Sequence, residues 1–62
     1  MAQQVGPELS SLATALGELT ARVTAIADTL AGTEADSVAV ELYQVERALR
    51  EALRRLERLA RP

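Results

Sequence analysis

The sequence predicts an all-α fold: an antiparallel two-helix hairpin of coiled-coil type that pairs with a copy of itself into a four-helix bundle. Three observations carry that expectation. In the first half, Leu9, Leu12, Leu16, Leu19, Val23, Ile26 and Leu30 follow one another at steps alternating between three and four. That is the spacing of a helix packed along a partner helix. In the second half, Val38, Leu42, Val45, Leu49, Ala52, Leu56 and Leu59 repeat the alternation in mirror order. Reflection about Glu34 brings Leu30 to Val38, Ile26 to Leu42, Val23 to Val45, and so on out to Leu9 and Leu59. The third observation is the apolar inventory: Phe and Trp are absent and Tyr43 is the only aromatic, so Leu, Val, Ile and Ala must build the core.

The elements follow in order. Residues 1–6 read as a flexible lead, with Val5 placed to add one layer to the seam if the helix starts early. Gly6-Pro7-Glu8 marks a helix start, because proline at the first helical position gives up an N–H that has no partner there and Glu8 faces the positive end of the dipole. Helix 1 is expected over 7–31. Gly17 interrupts it at a cost of about 1 kcal/mol relative to Ala, which a close helix approach at that point would explain. A turn at 32–35 uses Gly32 as the left-handed residue, and Thr33-x-x-Asp36 fits a capping box for helix 2. Helix 2 is expected over 36–60, so 1–62 form a single domain. Each arm is about 25 residues, roughly 37 Å long. Four Glu–Arg pairs at i,i+4 (18–22, 46–50, 51–55 and 57–61) support helix formation and carry no functional information.

Two helices of this length cover each seam residue from one side only, so a second surface is expected to bury the rest. Away from its seam helix 1 is rich in small residues, with Ala13, Gly17, Ala21 and Ala25 at every fourth position. A solvated face normally carries charges instead. Together with Val40, Tyr43 and Leu53 of helix 2 these residues form the expected oligomer or partner face. The occupant is a second copy, a dimer being favoured, or a larger protein partner.

Composition narrows the function classes. The chain has 62 residues, no Cys and no His, so thiolate metal sites, disulfides and the commonest general base are all missing. No serine has a histidine or lysine to activate it, and the glycines are isolated rather than gathered in a phosphate loop. Glu34 and Asp36 at the turn suit capping far better than cation binding, which for calcium needs six to eight oxygens. The expectation is a non-enzymatic protein with no cofactor, metal or catalytic residue, acting as a small helical adaptor or scaffold.

Charge supplies the second reading. The net charge is −2, yet residues from Ser37 onward balance at +2, with Glu41, Glu46, Glu51 and Glu57 against six arginines. Arg47, Arg50, Arg54, Arg58 and Arg61 recur at threes and fours along the face opposite the seam. Such a stripe fits a regulatory protein contacting phosphates of nucleic acid or an acidic protein partner. The acidic total and the absence of interleaved aromatics argue against nucleic acid, and a stripe of this kind is most often solvated surface. No uncharged apolar stretch reaches the roughly 20 residues of a membrane span, and the first residues lack the basic start of a signal peptide. The expected setting is cytoplasmic.

Overall fold

A computed structural model of the chain describes residues 2–61, with side chains described for 5–61. Among these residues there are two helices and no strand: α1 spans Ala2–Leu30 and α2 spans Asp36–Ala60. They lie side by side as a hairpin with Cα extents of 50 × 14 × 11 Å. The helical lead differs from the expected flexible one. α1 already includes Ala2 to Gly6 and carries Pro7 inside it, so the ring costs the bond that an N–H there would donate to the Gln3 carbonyl. Met1 and Pro62 lie outside the described residues.

The turn is tied by short-range bonds. Gly32 adopts φ 79°, the left-handed conformation that lets α1 stop without a Cβ clash. Its N–H donates to Asp36 Oδ1 at 2.6 Å, while the Ala35 N–H donates to Thr33 Oγ1 at 3.1 Å. The expected Thr33–Asp36 capping box is therefore not the arrangement found. Ala35 occupies the N-cap of α2 without a side-chain bond, and Asp36, in the first turn of α2, reaches back to the end of α1.

Which residues face the partner helix is the chief departure from the sequence expectation. Alternate members of the expected seam, Leu9, Leu16, Val23, Leu30, Leu42, Leu49 and Leu56, are part-buried. The other members are not. Leu12, Leu19, Ile26, Val38, Val45 and Leu59 are 48–67% exposed, save Val45 at 44%, and Ala52 is exposed as well. Their places are taken by the residues that follow them: Ala13, Thr20 and Ala27 on α1, and Ala39, Glu46, Leu53 and Ala60 on α2. Ala27 is fully buried, Ala39 1% exposed and Thr20 3% exposed.

Moving half the seam forward by one residue turns its centre by about 50°, since successive residues are about 100° apart on a helix. The physical reason is side-chain size. Ala and Thr at the contact let the two backbones approach closely, and close-packed interiors favour that over a gap held open by Leu on Leu. Thr20 enters without cost in hydrogen bonding because its hydroxyl donates to the Leu16 carbonyl at 2.7 Å, leaving its methyl to pack. No buried side-chain polar atom among the described residues lacks a partner.

Candidate functional site

The roll of both helices leaves a continuous apolar surface. On α1, Val5, Leu12, Leu19 and Ile26 are spaced by seven and so fall in one row. On α2, Val38, Val45, Ala52 and Leu59 form the matching row. Each row member immediately precedes a seam residue, so on either helix the row is displaced in the same rotational sense from the contact line. In helices that run in opposite directions, equal rotational sense carries both rows to the same side of the hairpin. One broad face of the molecule is thus paved with half-exposed Val, Leu and Ile. Three residues beyond each row and further from the seam run the rims: Glu8, Ala15, Arg22 and Thr29 on α1, and Glu41, Ala48 and Arg55 on α2. All of them are exposed.

The residues expected to form an oligomer face fall elsewhere. Ala13 is buried in the hairpin contact, and Gly17 lies against Leu53 of α2. Tyr43 is part-buried, and its hydroxyl donates to Asp28 Oδ1 at 2.6 Å across the two helices. Ala21, Ala25 and Val40 are exposed, but they sit on other sides of their helices. The cause is geometric. Four residues advance a helix by about 400°, so an every-fourth ridge drifts by about 40° per step and passes out of one face within three steps.

Gly17 does not need to be glycine. A Cβ built there meets only Leu53 Cδ2 at 3.8 Å, an ordinary contact. Gly17→Ala is expected to raise the stability of the hairpin by up to about 1 kcal/mol through helix propensity, read as a higher midpoint in urea. A lower midpoint would show that the helices approach more closely there than this contact implies.

The Tyr43–Asp28 bond was not legible in the sequence, where nothing distinguishes Asp28 from the other surface acids. It holds the phenol in its neutral, donating form. The Tyr43 pKa is raised above 10.0, first by this bond, then by partial desolvation and by the negative charges of Asp28, Glu46 and Asp36. Because the folded value exceeds the unfolded one, the stability the bond contributes is complete below pH 10 and is lost as pH climbs through the folded value. With one tyrosine in the chain, its ultraviolet titration reports the site alone. The expected midpoint lies above 10.0 and returns toward it in Asp28→Ala; a wild-type midpoint at 10.0 or lower would contradict the bond.

The arginine stripe is exposed along the outside of α2. Arg47, Arg54 and Arg61 are spaced by seven in line with Val40, about 200° round the helix from the apolar row. Arg50 Nε donates to Glu46 Oε2 at 2.7 Å. Arg54 donates to Glu51 at 2.6 Å, with Arg55 3.8 Å from the same carboxylate. The Arg54 bond, helped by the charges of Arg54, Arg55 and Arg58, holds the Glu51 carboxyl below its usual range. The depressions along this face are open and shallow; one is lined by Glu51, Arg54, Glu57, Arg58 and Arg61. Carboxylates thus interleave the stripe and occupy part of it. Among the described residues no three His, Cys, Asp or Glu side chains are grouped to hold a metal ion, and no helix is long and apolar enough to cross a membrane.

No family model, curated protein or solved structure matches the chain. Of the faces of the hairpin, the apolar one is the most unusual. Soluble monomers seldom leave so long a run of aliphatic side chains uncovered.

Proposed function

We propose that the protein is a non-enzymatic helical interaction module whose apolar face closes on a second copy, forming an antiparallel four-helix bundle. One observation carries this reading: the direction in which the large aliphatic residues point. On each helix the line of Leu, Val and Ile at threes and fours is centred about 50° away from the neighbouring helix and toward the open face. In a square bundle the common centre lies about 45° off the line joining adjacent helices. Both helices therefore aim their largest side chains at the position a bundle centre would occupy, while Ala13, Thr20, Ala27 and Ala39 fill the narrow contact between neighbours. A hairpin stable alone would gain from the opposite arrangement, with the large residues turned inward.

The dimensions agree. A face of 50 by 14 Å is about 700 Å² per protomer. Standard-size interfaces bury roughly 800 Å² on each partner. Under this reading the protein works as an oligomerisation element or scaffold, and the arginine stripe stays on the outside of the bundle as solvated surface.

Light scattering on the eluting protein tests the proposal. A species of twice the 6.6 kDa chain mass is expected. A 6.6 kDa species that retains the hairpin at micromolar concentration would remove the self-association, leaving a larger protein as the occupant of the face.

A further inference from the structure

We infer that the two copies lie with the turn of one over the open end of the other, so that each helix faces its own copy in reverse. The inference rests on the four-helix-bundle reading above and adds to it the orientation, which charge decides. The hairpin is electrically lopsided along its length. Its turn half, residues 21–48, holds Asp28, Glu34, Asp36, Glu41 and Glu46 against Arg22 and Arg47, a balance of −3. In its open half Glu8, Glu18, Glu51 and Glu57 meet five arginines of the α2 end, Arg50 to Arg61, a balance of +1.

Two dyads place the apolar faces together. One runs along the helices and stacks both acidic turns at the same end. The other runs across the helices and sets each acidic turn over the arginine-rich end of the partner. Only the second brings unlike ends together, and the lopsided charge acts within about 10 Å of the surface at moderate salt, which the bundle spans.

The rims bordering the apolar face suit antiparallel neighbours under either dyad. On each helix an acid precedes a base by two heptads: Glu8 then Arg22, and Glu41 then Arg55. Rows with that order set acid toward base in any antiparallel pairing, whether with the same helix of the partner or with its other helix, so the choice of dyad rests on the lopsided charge of the two ends. Ala15 and Ala48 lie between them, so a small residue occupies the middle of each rim.

The chain contains no cysteine, so a single introduced thiol is unique. Ala31→Cys places it on the exposed side of the turn without altering charge, and a spin label there reports the separation of the two turns by pulsed dipolar spectroscopy. With the turns at opposite ends the expected distance is about 40 Å, from the number of residues between them at 1.5 Å each. A distance under about 25 Å in a dimeric sample would overturn the orientation while leaving the dimer standing. No dipolar signal, with a mass of one chain, would overturn the dimer and the orientation with it.

Discussion

Leu19→Glu is expected to halve the mass of the particle in solution and leave the helical hairpin intact. Leu19 is half-exposed in the hairpin, so the carboxylate can stay in water there, and Glu is a good helix former. In the bundle the same position sits near the common centre, and both copies carry the change. Each buried leucine contributes about 1.5–3 kcal/mol, so losing two removes about 3 kcal/mol or more before any charge is desolvated. That corresponds to a dissociation constant weakened by more than about a hundredfold. Sedimentation together with far-ultraviolet circular dichroism reads both halves of the expectation. Ala21→Glu is the companion control: Ala21 lies outside the apolar face, and its substitution is expected to leave the mass unchanged. Equal behaviour of the two variants would count against the face as drawn.

Ala27→Leu acts on the other contact. Ala27 is fully buried and Ala39 nearly so, so three further carbon atoms have no room between the backbones unless the helices part or roll. Overpacking of this kind costs about 1–3 kcal/mol, a large share of the stability of so small a domain. The expected result is a clear fall in the urea midpoint, measured in the Leu19→Glu background so that association does not contribute. Ala25→Leu, two positions earlier and exposed, supplies the same side chain and the same helix propensity and is expected to change little. If Ala27→Leu is equally mild, the contact between α1 and α2 is looser than the burial of Ala27 indicates.

These two substitutions also separate what the sequence made legible from what it did not. The alternation from Leu9 to Leu30 and its mirror from Val38 to Leu59 predict two helices, and Gly32 between them predicts the reversal that lets the two series meet residue for residue. That alternation does not say whether its large residues point at the neighbouring helix or at the centre of a larger bundle. Half of the expected hairpin contacts, at Leu12, Leu19, Ile26, Val38, Val45, Ala52 and Leu59, therefore fell on the open face.

A signal for the roll was present. Ala13, Thr20 and Ala27 recur by seven immediately after the large row, and Ala39, Glu46, Leu53 and Ala60 do so on α2, apolar but for Thr20 and Glu46. An apolar stripe three positions wide belongs to a helix with two neighbours rather than one. The Ala13–Ala25 series does not lie on one face, because a four-residue step precesses round the helix and carries it from the buried Ala13 to the exposed Ala21 and Ala25. The reach of Tyr43 to Asp28 and the backward bond of Asp36 to Gly32 depend on the closeness and stagger of the helices. No spacing along the chain encodes those.

If the protein pairs as proposed, the second copy sits on the apolar face and on no other. Isotope-filtered nuclear Overhauser spectroscopy on a mixture of carbon-13-labelled and unlabelled protein observes only contacts between chains. Intermolecular contacts are expected from the methyl groups of Leu12, Leu19, Ile26 and Val45, and none from Val40. Intermolecular contacts confined to Val40 and Ala21, or none at all from the Leu12–Ile26 row in a sample of dimeric mass, would contradict that placement.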